Sequence, residues 1–423
     1  MATAMARHAV CSWPRPSQGT AQQPALQRQQ PATRCTRVAR HDRTAVCTRA
    51  SRPGATSLDD AQVLAAGGES EQDGAFGVTG RRGDDLDVPR VCVVVSRDSG
   101  PQRGAAFAQQ LRAALPHLGA RAVLEVPDGA SSGGLTQLTQ LVMGEAVCPR
   151  IVIAGGDGTV SWVVDEVTAT LAGRQQTPSF SILPYGTGND LARALGCLDH
   201  DSSAATPQEA LALLRRLERA PLRSVDRWQL RVSSVHSAPR VVRWNNYLSI
   251  GFDAGVALAF DAARRSAPSA LFSTRLGNKA AYGLLGALDF AMGSCRELAE
   301  RVSLQCDGRE VPLPAGTCGL LLLNISSFMG GVTPWAADTA SCPGDGLLEV
   351  VAHRGALHLA AMQLGLEAGI PLGRAARVVV TTTAPFPAQA DGEPWMQAAA
   401  SVLEVSRHGT TQFAVPGMPA LAK

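Results

Sequence analysis

Two regimes of apolar and polar patterning divide the chain, and the change falls near residue 225. Before it, short and almost wholly apolar runs at 91–95, 123–126, 150–154 and 181–184 predict buried strands. Between them, apolar residues recur at three- and four-residue spacing. This predicts helices over 105–118, 135–143, about 160–172, from about Asp190 onward, and 206–218. Strands apolar on both faces, alternating with helices, indicate a parallel α/β sheet covered on both sides. Beyond 225, runs at 228–235, 240–249, 302–306, 319–325, 346–351, 377–383 and 401–406 predict strands separated by Gly- and Pro-containing loops. One helical region, about 253–294, interrupts them. The fold class is therefore α/β: a parallel-sheet domain followed by a β-rich, mostly antiparallel second domain. An active site is expected in the cleft between the two.

Charge changes the picture at the N-terminus. The formal charge of +3 comes from 39 basic and 36 acidic residues, too balanced for a polybasic nucleic-acid binder, and no nucleic-acid partner is expected. Residues 1–52 hold nine arginines and one acid, Asp42, leaving 30 basic against 35 acidic residues in the rest. This leader is rich in Arg, Ser, Thr, Ala and Gln and has no continuous apolar core, the composition of an organellar transit peptide. Its many hydroxylated residues and weak amphipathic period favour the chloroplast, with mitochondrion or cytosol as alternatives. Residues 53–87 read as a linker. Of the ten cysteines three fall in the leader, and the seven others form no CxxC pair, so neither a disulfide framework nor a zinc site is expected. No apolar run approaches the ~20 residues that span a bilayer. Lysine occurs only at Lys279 and Lys423.

Two glycine turns carry the candidate chemistry. Gly155, Gly156, Asp157, Gly158 and Thr159 follow one predicted strand and open a helix. Gly186, Thr187, Gly188, Asn189 and Asp190 repeat the arrangement 31 residues later. Glycines let a backbone approach a phosphate, and a helix start offers free N–H groups and partial positive charge, so both helices are expected to face a bound anion. The hydroxyls of Thr159 and Thr187 add donors. Carboxylates beside a polyphosphate are unfavourable unless Mg²⁺ lies between them or they accept a substrate proton, which bears on Asp157 and Asp190. No Walker A motif and no protein-kinase HRD or DFG motif is present.

With their flanks, Ile151-Val-Ile-Ala-Gly-Gly-Asp-Gly-Thr159 and Leu183-Pro-Tyr-Gly-Thr-Gly-Asn-Asp-Leu-Ala-Arg193 resemble the diacylglycerol kinase catalytic domain. Asn245-Asn-Tyr-Leu-Ser-Ile-Gly-Phe-Asp-Ala254 is similar to a signature of the eukaryotic-type members of that family. So are Asn278-Lys-Ala-Ala-Tyr-Gly283, Leu323-Asn-Ile-Ser-Ser-Phe-Met-Gly-Gly331, Asp345-Gly-Leu-Leu-Glu-Val-Val351 and Gln389-Ala-Asp-Gly-Glu-Pro-Trp395. The resemblance covers about residues 88–406. It divides the chain into a catalytic domain at 88–225, an accessory β-rich domain at 226–410 and a tail at 411–423. It implies transfer of the γ-phosphate of MgATP to the hydroxyl of diacylglycerol, giving phosphatidic acid, on a peripheral membrane surface. The partners implied are ATP and the lipid, and a homo-oligomer is compatible with the sequence.

Carried onto this chain, the resemblance gives the two glycine turns to the nucleotide phosphates and Asp226 to Mg²⁺. The general base is Glu393 or, by analogy with sphingosine kinases, Asp157. Either carboxylate can accept a lipid hydroxyl proton late in a loose transition state. The reading taken is Glu393 as base with Asp157 in the magnesium–phosphate network. Lys279 and Asp190 are candidate lipid or phosphate contacts, Lys279 against the alternative of a structural lysine. One segment departs from the family: Ser96-Arg-Asp-Ser-Gly100 replaces its Asn-Pro-x-Ser-Gly turn, with Asp98 where a base is common, leaving Arg97 or Arg103 to supply charge. That departure motivates a second reading, a pseudokinase scaffold, beside the alternative of a sphingoid-base or ceramide kinase. Part of 253–294, with Arg264, Arg265 and Arg275 among large apolar residues, is expected either on an anionic membrane or packed on its own domain. Neither a cysteine- and histidine-rich module nor an EF-hand loop precedes the catalytic match, so phorbol-ester or calcium control is not expected.

Overall fold

A computed structural model describes residues 63–64, 91–96, 103–118, 123–126, 150–173, 178–198, 204–234, 237–266, 298–335 and 341–416. All of these lie in one unit, 56–423. The transit-peptide expectation, the helix at 135–143, Lys279 and the segment 97–102 lie outside the described residues.

The N-terminal half builds a parallel sheet. Strands β1 (Val63–Leu64), β2 (Val91–Ser96), β3 (Val123–Val126), β4 (Arg150–Gly155) and β5 (Ser179–Pro184) are ordered β1-β3-β2-β4-β5, all parallel except β1. Helices α1 (Arg103–Leu118), α2 (Asp157–Thr170), α3 (Asp190–Ala194) and α4 (Pro207–Arg219) follow in the chain. The apolar residues of β4 alternate between two cores, which is why the strand reads as an uninterrupted apolar run. Ile151 and Ile153 pack with Val163, Val167 and Phe180, while Val152 and Ala154 pack with Phe107, Leu111 and Leu214. Helix α4 begins with a capping box: Thr206 Oγ1 accepts from Glu209 N at 3.2 Å, and Glu209 accepts from Ala205 N at 2.8 Å.

The second half is a β-sandwich. Strands β6 (Leu222–Ser234), β7 (Ser237–Trp244), β9 (Val302–Cys306), β10 (Arg309–Val311), β14 (Arg377–Thr382) and β17 (Ser401–Ala414) extend the first sheet. A second, antiparallel sheet has the order β13-β12-β11-β8-β15-β16. Its strands are β8 (Tyr247–Gly251), β11 (Gly319–Leu323), β12 (Leu348–His353), β13 (Ile370–Ala375), β15 (Phe386–Ala390) and β16 (Glu393–Gln397). Leu230, Val380 and Leu403 of one sheet meet Ile250, Leu322 and Ala388 of the other in a dry core. The far face of the second sheet is covered by α5 (Phe252–Ser266) and α7 (Ala356–Gln363), through Phe252, Val256, Leu359 and Met362. A single turn, α6 (Leu298–Arg301), leads into β9. Among the described residues no helix is long and apolar enough to cross a membrane.

Four sequence expectations change. The stretch 240–249 is two strands in different sheets, broken at Asn245-Asn246. Residues 411–414 are not a tail: β17 continues through them, pairs in parallel with β5 at Gln412 and Phe413, and buries Phe413 in the catalytic core. The linker contains β1, which pairs with the otherwise open side of β3. Finally, the two domains share one sheet, because β6 and β17 pair along their whole length across the 225/226 boundary.

Candidate active site

The adjacent strands β4 and β5 end side by side and deliver the two glycine turns to one place. Tyr185 N donates to Gly155 O at 3.1 Å, and the turns touch backbone to backbone. A Cβ on Gly186 would lie 2.4 Å from Gly156 Cα, so this contact admits no side chain. A Cβ on Gly155 would meet the Thr159 side chain at 2.8 Å, so Thr159 packs back over its own turn. Gly158 and Thr187 are exposed at the rim. Helix α2 starts at N-cap Gly156 without a side-chain cap, which leaves its first N–H groups for an incoming anion.

The second turn differs from expectation. Helix α3 has Asn189 as N-cap in the left-handed region (φ 52°), and its first N–H groups are already taken. Asp190 N donates to Asp157 Oδ2 at 2.9 Å and Leu191 N to Asp157 Oδ1 at 3.1 Å. A carboxylate at a helix start satisfies both orphan donors and the local dipole. Asp157 thus ties one glycine turn to the other, and α3 has no free N-terminus to offer phosphate. Asn246 Nδ2 also donates to Asp157 Oδ1, at 3.2 Å. Burial pushes the Asp157 carboxyl above its usual range against the opposing pull of these donors.

Asp190 faces the accessory domain. Its Oδ1 accepts from Ser327 Oγ at 2.5 Å and from Gly330 N at 3.0 Å. Gly330 (φ 80°) lies where its Cβ would approach Gly188 Cα at 3.9 Å, so the loop after β11 sits on the second glycine turn. Burial, then the neighbouring Asp157 charge, raise Asp190 to about 6 against the donors from Ser327 and Gly330.

A third buried carboxylate completes the arrangement, and the sequence did not single it out. Asp391 accepts from the backbone N–H of Asn245 at 2.8 Å, Asn246 at 2.8 Å and Tyr247 at 3.1 Å. Burial first, then the Asp157 charge, raise it to about 6 against those three bonds. Asn245 in turn accepts from Arg227 Nε at 3.1 Å. Arg227 also donates to Thr168 Oγ1 at 2.9 Å and pairs with Asp165, which docks β6 onto α2. Asn245 and Asn246 were legible as part of a signature; the carboxylate that organises them belongs to an Asp-Gly pair 145 residues or more away.

The other expected residues are placed as follows. Glu393 stands exposed at the start of β16, two residues beyond Asp391, and its side chain has no hydrogen bond or ion pair among the described residues. Asp226 is fully buried and already engaged. Its Oδ1 accepts from Arg407 Nε at 2.6 Å and its Oδ2 from Gly346 N at 2.6 Å. Arg103 lies over the ring of Tyr185, at 5.9 Å, beside the second turn. Asp253 is buried in the first turn of α5, accepts from Gln389 Nε2 at 2.8 Å and faces His353 Nε2 at 3.1 Å. Arg264 and Arg265 lie in the last turn of α5. Trp395 packs beneath Arg240, whose guanidinium is 4.7 Å from the ring centre.

The residues fit a magnesium ion at Asp157. Among the described residues two buried amide oxygens, Asn246 Oδ1 and Asn189 Oδ1, have no hydrogen-bond partner; the Asn246 amide touches Asp157, and hard oxygen donors of this kind suit Mg²⁺ shared with a polyphosphate. Among the described residues no cluster of three or more His, Cys, Asp or Glu is arranged to hold a metal. Asp226 fits less well, because its charge is already paired with Arg407, whereas the donors on Asp157 are neutral amides.

The profile of the diacylglycerol kinase catalytic domain matches residues 90–225, and that of the diacylglycerol kinase accessory domain matches residues 243–394. Diacylglycerol kinase 2 of Arabidopsis thaliana is 35% identical over 278 residues, covering 62% of this chain and 38% of that protein. Diacylglycerol kinase theta of Homo sapiens is 33% identical over 327 residues, covering 72% of this chain and 33% of that protein. The chain therefore spans about a third of the length of these relatives. A crystal structure of a diacylglycerol kinase from Bacillus anthracis str. Sterne covers 78% of this chain and 97% of its own at 14% identity. Its TM-score of 0.44 is too low to bear on the site.

Proposed function

The chain belongs to the diacylglycerol kinase family, and from that premise we propose that it is a lipid kinase that transfers the γ-phosphate of ATP to the hydroxyl of diacylglycerol, giving phosphatidic acid and ADP. The observation that carries this reading is the contact between the two glycine turns at the ends of adjacent parallel strands. It leaves the uncapped start of α2 open beside Asp157.

In the transfer, the lipid oxygen forms the new bond to phosphorus, the bond to the β,γ-bridging oxygen breaks, and the hydroxyl proton goes to a base. The first N–H groups of α2 bind the phosphates, and Gly186 lets the second turn lie directly against Gly156 beside them. Asp157, Asn246 Oδ1 and Asn189 Oδ1 would hold Mg²⁺, which would supply positive charge to the phosphate oxygens. Both oxygens of Asp157 are engaged by N–H donors, which suits a holding role better than proton acceptance. Glu393 is free and exposed beside the clamped hairpin, and it is the carboxylate we assign as base for the lipid hydroxyl. Asp226 we assign to the ion pair with Arg407, a link between β6 and β17, and Asp190 to seating the accessory loop.

Because diacylglycerol resides in bilayers, the reading includes peripheral membrane work, and residues 1–52 are proposed to direct import into the chloroplast. A panel of diacylglycerol, sphingosine and ceramide in mixed micelles with radiolabelled ATP and Mg²⁺ tests the chemistry. Labelled phosphatidic acid supports the reading. A labelled sphingoid or ceramide product, or no product from folded protein, sinks it, the latter in favour of a scaffold. A fluorescent fusion of residues 1–60 tests the address; diffuse cytosolic signal counts against it.

A further inference from the structure

We propose that Asp391 is a positioning residue of the phosphoryl-transfer site, clamping the Asn245-Asn246 turn from behind so that the Asn246 amide holds Asp157 in place; this deepens the lipid-kinase reading and rests on it. Asp391 and Gly392 are the two central residues of the β15–β16 hairpin, since Ala390 pairs with Glu393. Both have positive φ, 47° and 85°, the backbone of a two-residue primed turn. In such a turn an Asp side chain ordinarily faces water. Here it turns back into the protein and serves a break in another part of the chain.

The break needs it. Between Trp244 and Tyr247 the chain leaves one sheet and enters the other, and at this break the Asp391 carboxylate accepts from the N–H groups of Asn245, Asn246 and Tyr247. Three buried donors without acceptors would be costly, and one carboxylate accepts all three. The hairpin closes the arrangement from its own side, with Asp391 N donating to Tyr247 O at 3.0 Å.

With the backbone fixed, the side-chain amide nitrogens of both asparagines face α2. Asn246 Nδ2 reaches Asp157 Oδ1 at 3.2 Å, while Asn245 Nδ2 lies 3.4 Å from Ser161 Oγ. A Ser161 Oγ to Asp391 Oδ2 separation of 3.5 Å brings α2 and the hairpin within reach of each other. The clamp therefore acts on Asp157 through Asn246.

A double-mutant cycle on the full chain tests this. Asp391→Asn keeps a residue that tolerates positive φ and one acceptor oxygen, but loses the second acceptor and the charge. Wild type, Asp391→Asn, Asn246→Ala and the double variant are compared by kcat and KM for lipid phosphorylation. Calorimetric MgATP affinity, thermal melting and amide hydrogen exchange over 245–247 are read alongside. Each single variant is expected to lower kcat and weaken MgATP binding by about tenfold with KM for lipid little changed, and the double variant to be no worse than the poorer single. Exchange at 245–247 is expected to rise in Asp391→Asn and stay protected in Asn246→Ala. Multiplicative losses in the cycle, or activity falling only in step with the folded fraction, would overturn the proposal. If wild type phosphorylates no lipid, the kinase reading fails while MgATP affinity still decides the clamp. If Asp391→Asn does not fold, Asn246→Ala decides it: unchanged MgATP affinity and kcat there refute it, and a tenfold loss with 245–247 still protected supports it.

Discussion

The two glycine turns look alike in sequence and are held in opposite ways. The turn of Gly155 to Thr159 opens a 14-residue helix with no side-chain cap and leaves its first N–H groups exposed toward ligand. The turn of Gly186 to Asp190 opens a five-residue helix whose first N–H groups are consumed by Asp157. Its own aspartate, Asp190, is consumed by the accessory loop. In the proposed function one turn binds and the other anchors. The same residue types at similar spacing thus do different work, because what occupies the N–H groups is decided by tertiary neighbours.

The largest expected break in this comparison is Gly186→Ala. Its Cβ would sit 2.4 Å from Gly156 Cα and 2.8 Å from Asn189 Oδ1, so one turn must leave the other. Backbone cannot yield as a flexible side chain can, and a loss of about 1–3 kcal/mol in urea unfolding is expected, together with loss of MgATP binding. Wild-type binding in this variant would mean that the contact between turns is not needed.

Next comes the anchoring side. Ser327→Ala removes the hydroxyl on Asp190 and leaves a buried carboxylate oxygen with one donor fewer, a cost of about 1–3 kcal/mol. Urea unfolding followed by tryptophan fluorescence reads it; a change under a few tenths of that would show the loop to be seated by other contacts.

The acid response follows from Asp190 and is comparable in size. Its carboxyl is raised from 3.8 to about 6 in the fold, so the native state holds a proton that the unfolded chain has released between those values. Stability from this group is therefore present in full below the unfolded value and is lost as pH rises through about 6. Acidifying from pH 7 to pH 5 is expected to favour the fold by about 1 kcal/mol from this site, a gain missing in Asp190→Asn. Identical pH slopes in the two proteins would contradict it.

Much of this was legible. The almost wholly apolar runs marked β2, β4 and β5 because strands buried on both faces favour apolar residues, and the three- and four-residue apolar spacing marked α4. The glycine turns were found because close backbone approach requires glycine. What failed had one cause: partners supplied from far along the chain. Asn245-Asn246 looked like the middle of a strand because nothing nearby reveals the carboxylate of Asp391 that holds the break open. Residues 411–414 looked like a tail because their partner, β5, lies more than 200 residues earlier. The resemblance gave Asp226 to Mg²⁺, and its pairing with Arg407 was hidden because it joins residues 181 positions apart.

The smallest effect on folding sharpens the contrast most. A Cβ on Gly158 would meet nothing within 4 Å, and the residue is exposed and has no positive φ. Gly158→Ala is expected to leave stability unchanged or raised by up to about 1 kcal/mol while weakening MgATP binding, since the binding turn faces phosphate there. Undiminished affinity would place the phosphate elsewhere.

The central claim is that Asp157 organises phosphoryl transfer to diacylglycerol where the two turns meet. The most direct measurement is formation of labelled phosphatidic acid from diacylglycerol by the full chain and by Asp157→Asn, at matched folded fraction. The account predicts product from wild type and a loss of at least about a hundredfold in kcat for the variant. Equal rates from the two proteins would contradict it.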